Sequence, residues 1–273
     1  MQKKVLALHD LSGFGRSSLV PIIAAISAAG HQCVPLPTAY FSTHMAIPGW
    51  ETVDLTGVMP RVIDQYDRLG LRFESVYAGF LGSADQIDCV RDAVLRLKSE
   101  NGTAFIDPVM GDNGEVYATY TPEMCTRMRE LCEIADIITP NITEACLLTG
   151  TPWKDGEWTM PELSGLCERL APAGSSGASI VITGIRQGDS LVNFLWDDGV
   201  YTTVSTPIAG ASRPGTGDIF ASILAADAVR GETLLSSVQK AANFVGLCIT
   251  GSEKAGTPVQ EGVVFEKYLA ALL

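Results

Sequence analysis

The sequence predicts an α/β fold: a mainly parallel central sheet covered by helices on both faces, with an antiparallel hairpin added to it. Three observations carry this. Short apolar runs of strand length alternate with segments of helical periodicity along the chain. The early runs are apolar at successive positions, as strands buried on both faces are. Late in the chain, "SLVNFLW" and "VYTTVS" flank the turn residues "DDG", the pattern of a hairpin.

In order, "KVLALH" predicts a buried strand, "DLSGFGRSS" a loop, and "LVPIIAAISAAG" a helix ended by Gly30. The βα pattern recurs. "HQCVPLP" precedes a helix over about 54–69, and "SVYAGF" precedes one over about 84–99. "TAFID" and "ADIIT" are further strands with helical segments behind them. A connector, "LAPAGSSGAS", leads to the strand "IVITG" and then to the hairpin. Beyond it the chain turns helical, with Leu234, Val238, Ala241, Val245 and Ile249 tracing one face. No repeat or break in composition marks a second domain, so residues 1–273 are expected to form one. In such a sheet, ligands bind beyond the carboxyl ends of the strands.

The bulk chemistry excludes several classes. With 273 residues, 47% hydrophobic and 18% charged, the chain can bury a large core. A net charge of −12 argues against nucleic acid and anionic membranes as partners, both of which need a basic face. An anionic ligand would have to be held by backbone N–H groups, a few cations or a metal ion. Seven cysteines form no Cys-x-x-Cys pair, and "MQKKVLALHD" is too poor in apolar residues for a signal-peptide core. The expectation is a reducing cytoplasm.

Three stretches carry chemistry. In "SRPGTGDIFAS", Gly215 and Gly217 free the backbone where a helix begins, and a helix N-terminus stabilises negative charge. It can hold a phosphoryl group in transit while Asp218 accepts the proton of an attacking hydroxyl. Asp218 can equally be a helix cap. In "DPVMGDNGEVY", Asp107 and Asp112 follow a strand and can orient a metal or its waters, or can belong to a plain turn. In "TPNITEACLLTG", Asn141 and Glu144 match a capping box, yet an amide and a carboxylate so placed also suit hydrated Mg²⁺ against ATP phosphates. The chain contains no Gly-x-x-x-x-Gly-Lys loop, and "GFGRSS" lacks the third glycine of a dinucleotide fingerprint. Taken together, the three stretches favour phosphoryl transfer.

With "GTGD", "NITE", "DPVMGD", "ADIITPN" and "FSTH" in this order, nearly the whole chain resembles the ribokinase superfamily, most closely its pyridoxal kinase branch. The resemblance implies a three-layer ribokinase-like fold and transfer of a phosphoryl group from ATP to the 5′-hydroxymethyl group of a vitamin B6 compound. It makes Asp218 the base and Gly215, Thr216 and Gly217 the anion hole. It sets Asp107, Asp112, Tyr117, Thr139, Asn141, Glu144 and Thr183 on the ATP side, with Asp107, Asn141 and Glu144 toward Mg²⁺. It also implies a homodimer and a monovalent cation such as K⁺.

On the acceptor side the chain departs from the branch. "HDLS" stands where many pyridoxal kinases have Gln-Ser-His, and Met45 stands where they have threonine. The Asp10-x-Ser12-Gly13 run is similar to Asp-Pro-Ser-Gly of hydroxymethylpyrimidine kinases, the alternative activity. Asp10 can pair with a ring nitrogen or an aminomethyl cation, with Ser12 beside it, and His44 can contact the acceptor. Phe80 can stack on the ring, and on the ATP side Arg213, the cation nearest the anion hole, can touch a phosphate. A module that binds nucleotide or vitamin without turnover is a third reading.

Overall fold

The computed structural model describes residues 2–171 and 177–273; part of the predicted 170–179 connector lies outside the described residues. The chain begins with β1 (Lys4–Phe14), α1 (Leu19–Ala28), β2 (Gln32–Thr43), β3 (Thr52–Asp54), α2 (Met59–Arg68), β4 (Phe73–Ala78) and α3 (Ala84–Leu97). It continues through β5 (Lys98–Ile106), β6 (Gly111–Asp112), β7 (Glu115–Val116), α4 (Pro122–Cys132), β8 (Ile137–Ile138), α5 (Ile142–Thr149) and α6 (Met160–Leu170). The final elements are β9 (Ser179–Gln187), β10 (Ser190–Asp197), β11 (Val200–Pro207), α7 (Thr216–Arg230) and α8 (Leu234–Ala255).

Nine strands form one sheet in the order β11-β10-β9-β8-β5-β4-β1-β2-β3. From β9 to β2 the neighbours run parallel; β3 at one end and β10–β11 at the other are antiparallel. The predicted hairpin is β10–β11, and its turn is Asp198-Gly199, both at positive φ, as a two-residue hairpin turn requires.

Strand alternation sorts the core into two layers. Leu6, Leu8, Val76, Ile106 and Ile180 face helices α2 to α6, whereas Val5, Ala7, Tyr77, Phe105 and Val181 face α1, α7 and α8. The predicted face of α8 packs on this second side, with Val238, Ala241 and Ile249 buried and Leu234 and Val245 partly so. The same parity carries His9 after Ala7, and Asp107 after Phe105, toward α7. β1 has β2 on one side and β4 on the other, so its carboxyl end is a switch point where a crevice opens.

Several predicted boundaries move. "DLSGF", expected as loop, continues β1: after an irregularity between His9 and Leu11, Leu11 to Phe14 pair with Tyr40 to Thr43. Partners on β2, itself longer than expected, hold that segment extended despite its glycine. The helix expected from about residue 54 starts at Met59, because Thr52–Asp54 pair antiparallel with β2 as an edge strand. The residues "GDNGEV" form a small hairpin, β6–β7, closed by Asn113 and Gly114 at positive φ. All seven cysteines are free thiols. Among the described residues, no helix is long and apolar enough to cross a membrane.

Candidate active site

Thr216, Gly217 and Asp218 form the first turn of α7, ahead of the first backbone bond of the helix, from Ile219 N–H to the Gly215 carbonyl. Gly215 sits before them in the left-handed region, at φ 82°. A Cβ there would stand 1.8 Å from the Arg16 carbonyl oxygen, so only glycine lets the β1–α1 loop and this helix start come together. A Cβ on Gly217 would meet nothing within 4 Å. Gly217 leaves the helix N-terminus uncovered.

Asp218 is held on both oxygens. Its Oδ2 accepts the Ser18 N–H at 2.6 Å, and its Oδ1 lies 3.2 Å from His9 Nε2, an ion-pair contact that falls short of hydrogen-bond geometry. Burial opposes its charge, but His9 and the Ser18 N–H outweigh burial and keep the carboxyl below its usual range. His9 in turn has Nδ1 2.9 Å from Asp10 Oδ1, and Asp10 Oδ2 accepts from Ser12 Oγ at 3.0 Å. Burial depresses the imidazole, yet the two carboxylates overcome this and push it up to about 10.

On the other side of the site, Asp107 follows β5 and accepts from Thr139 Oγ1 at 3.0 Å. Burial and the nearby Asp218 charge push it up to about 7, against Thr139 and His9. Asn141 and Glu144 form the capping box of α5: Asn141 Oδ1 accepts from Glu144 N–H, and Glu144 Oε2 accepts from Asn141 N–H at 2.7 Å. Glu144 Oε1 also accepts from Met110 N–H at 3.1 Å, and Asn141 Nδ2 donates to the Gly111 carbonyl at 2.8 Å. The cap therefore ties α5 to the loop after β5. Burial and Asp107 push Glu144 well up, against those N–H groups.

Two buried carboxylates, Glu144 raised by burial and Asp107, and Asp107 raised by burial and Asp218, call for a cation. No group of three His, Cys, Asp or Glu side chains suited to a metal occurs among the described residues. That donor set suits Mg²⁺, which keeps most of its waters and shares the rest of its shell with phosphates. Asp112 lies exposed in the β6–β7 hairpin, accepting from Asn113. Tyr117 lies beside the hairpin, its hydroxyl pushed up by burial and then by Glu144, Asp112, Asp218 and Asp107. Thr183 pairs with Asn141, its N–H bonded to the Pro140 carbonyl.

At the carboxyl-terminal part of β2 and just after β4 lies a small apolar cluster of Ala39, Phe41 and Phe80, with Met45, Trp50 and Val109 against it. Phe41 meets Trp50 and Phe80 edge-on, with centroids 5.3 and 6.0 Å apart. His44 is buried, its Nε2 2.5 Å from the Gln260 carbonyl oxygen.

Asp10 and Ser12, expected on the acceptor side, and Arg213, expected at an ATP phosphate, have protein partners. Asp10 and Ser12 are buried and turned to His9 and to each other. Arg213 does not lie open to a phosphate: Nη1 donates to the carbonyls of Thr257, Pro258 and Gly262, and Nη2 to Glu253. A guanidinium so spent braces the loop before Gly215.

Sequence reasoning missed His9, Ser18 and Gly79. A Cβ on Gly79 would stand 2.0 Å from His9 Cδ2, so this glycine makes room for the imidazole. The period-2 placement of His9 with Val5 and Ala7 was the available signal. Nothing in the sequence pairs that face of β1 with α7.

An acid beside an open helix start, at the switch point of a parallel sheet and across from two carboxylates short of a cation, belongs to phosphoryl-transfer chemistry, and the class so defined is a kinase. The profile described as phosphomethylpyrimidine kinase matches residues 58–262, and the chain belongs to that family. A candidate phosphomethylpyrimidine kinase from Bacteroides thetaiotaomicron superposes with a TM-score of 0.94 at 35% identity, covering 99% of this chain and 94% of that one. An orthorhombic form with pyridoxal gives 0.91 at 34%, covering 100% and 96%. Pyridoxal kinase from Lactobacillus plantarum gives 0.92 at 28%, covering 100% and 97%. Pyridoxal kinase PdxY of Corynebacterium diphtheriae is 26% identical over 253 residues, 88% of this chain and 86% of that one. Within the ribokinase-like superfamily the chain thus stands with the pyridoxal kinase branch.

Proposed function

We propose that this kinase, as one domain over residues 1–273, transfers the γ-phosphoryl group of ATP to the 5′-hydroxymethyl group of a vitamin B6 compound. The observation that carries the reading is the Asp218 carboxylate, gripped on both oxygens at the uncovered start of α7. Phe80 follows Gly79, which abuts His9, and belongs to an apolar, aromatic cluster suited to a flat ring. Phe80, Met45 and His44 line this side.

Asp218 takes the hydroxyl proton as the oxygen attacks the γ-phosphorus in line. The new O–P bond forms while the bond to the β-bridging oxygen breaks, and ADP leaves with that electron pair. N–H groups at Gly215, Thr216 and Gly217 meet the charge that builds on the moving phosphoryl oxygens. Asp107 and Glu144 would hold Mg²⁺, with Asn141 fixing Glu144, and the ion would supply positive charge to the polyphosphate. Tyr117, Thr139, Thr183 and Asp112 border the nucleotide side.

A second reading, hydroxymethylpyrimidine as acceptor, has in its favour the 32% identity over 181 residues to hydroxymethylpyrimidine/phosphomethylpyrimidine kinase of Haemophilus influenzae. One assay tests both: Mg·ATP with pyridoxal, pyridoxine, pyridoxamine or hydroxymethylpyrimidine in turn, with K⁺ present and absent, following the phosphate ester. A B6 phosphate is the expected product. Hydroxymethylpyrimidine phosphate alone would replace the first reading, and no product at all would leave a binding module. Asp218→Asn should cut turnover by about 10²–10⁴-fold while Mg·ATP still binds, and near-normal turnover would remove Asp218 from its role. The reading also carries a cytoplasmic location and a homodimer. Exposed Phe14, Tyr40 and Val53 on strands β1, β2 and β3 offer a surface for that dimer, testable by sedimentation.

A further inference from the structure

We propose that His9 is a positioning residue for the base, and that Asp10 and Ser12 serve His9 rather than the acceptor ring. Bridging Asp10 and Asp218 through its two ring nitrogens, His9 fixes the Asp218 carboxylate in the orientation from which it takes the hydroxyl proton. This rests on the reading of Asp218 as general base.

The contacts form a directed chain. Ser12 Oγ donates to Asp10 Oδ2 at 3.0 Å, Asp10 Oδ1 lies 2.9 Å from His9 Nδ1, and His9 Nε2 lies 3.2 Å from Asp218 Oδ1. His9, Asp10 and Ser12 are 3%, 5% and 1% exposed, so none is free to meet a ligand without rearrangement. Room for the ring exists only because residue 79 is glycine, whose absent Cβ would stand 2.4 Å from His9 Nε2.

The second oxygen of Asp218 is served with equal deliberateness. Ser18 presents its N–H from φ 60° and ψ −140°, a conformation that residues other than glycine avoid. Both partners thus come from one βα unit, His9 as an ion-pair contact from the strand and Ser18 as a donor from the helix start, and both reach Asp218 from some 200 residues away in sequence. A buried ion pair adds little to stability over apolar packing, so the arrangement is better explained by what it orients. A carboxylate that must strip a proton next to an arriving polyphosphate gains most from fixed geometry and an adjacent cation. Asp10 and Asp218 contact His9, and Asp107 from the β5 end lies within its electrostatic reach.

The test compares His9→Asn, His9→Gln, Asp10→Asn and Asp218→Asn with the parent enzyme. It uses Mg·ATP and pyridoxal, or whichever acceptor gives product in the assay above, measuring kcat, KM, the pH profile and ATP affinity. His9→Asn, too short to reach Asp218, should lose about 10²-fold in kcat with KM and ATP affinity within about threefold. His9→Gln, whose amide nitrogen can reach the position of Nε2 beside Asp218, should recover about tenfold of that loss. In both, the acid limb of the kcat profile should move to higher pH, because the cation that keeps Asp218 ionised is gone. Asp10→Asn keeps the shape of the site and guards against a His9 variant that fails to fold; it should lower kcat and leave acceptor KM unchanged.

A His9→Asn enzyme with parent kcat and an unmoved acid limb, alongside an inactive Asp218→Asn, would overturn this proposal and leave the base in place. A raised acceptor KM in Asp10→Asn at parent kcat would return Asp10 to the acceptor ring. An active Asp218→Asn would remove the base itself, and the proposal with it.

Discussion

The Cβ that Gly215 lacks would lie 1.8 Å from the carbonyl oxygen of Arg16. The two glycines of "GTGD" therefore do different work. Gly215 is demanded by the fold, through its positive φ and the approach of Arg16, whereas Gly217 stands in open space. Gly215→Ala should lower stability by roughly 1–3 kcal/mol or more, seen as a fall in Tm. Gly217→Ala should leave Tm unchanged or slightly raised, since alanine suits a helix better. Its methyl group would crowd the proposed phosphoryl site, so kcat should fall by about tenfold or more. Equal stability losses for the two variants would sink this division.

Stability should decline at alkaline pH through His9. The imidazole is pushed up to about 10 by Asp10 and Asp218 against the cost of burial, from an ordinary value of 6.5. Its contribution is complete below pH 6.5 and is lost as pH climbs toward 10, where the folded state also gives up the proton. Urea midpoints between about pH 6 and 10 should fall more steeply for the parent than for His9→Gln. Parallel curves would mean that the imidazolium adds nothing to folding.

Glu144 caps α5 and faces Asp107, and the two roles can be separated. Glu144→Gln keeps one acceptor for the two N–H groups of Asn141 and Met110 while it removes the buried charge, so stability should fall by about 1–3 kcal/mol, the cost of one unmet N–H. The Mg²⁺ concentration for half-maximal activity should rise several-fold. An unchanged Mg²⁺ titration would reduce Glu144 to a helix cap.

Arg213 offers the opposite contrast. Its guanidinium satisfies three carbonyls and Glu253, none of them part of a phosphate site. Arg213→Ala should cost about 2 kcal/mol or more in urea unfolding, because three carbonyls, the buried one of Gly262 among them, lose their donor. At a temperature where the variant is folded, its KM for ATP should match the parent's. A KM raised tenfold without loss of stability would place the guanidinium back at the nucleotide.

What the sequence determined by itself is local. Apolar runs such as "KVLALH" could only be strands buried on both faces, and "NITE" contained its own capping box, because both patterns are set by residues within one or two turns of each other. The aspartate and glycines of "GTGD" were legible for the same reason, as a helix start open to an anion. Tertiary structure decided everything that joins distant segments. β1 extends to Phe14 only because β2 supplies the ladder partners, and Arg213 turned inward because carbonyls 44 to 49 residues ahead surround it. The grip of His9 and Ser18 on Asp218 depends on packing β1 and α1 against α7, with Gly79 and Gly215 clearing the space. Sequence patterns report the period of a strand or helix; they do not report which element its buried face will meet.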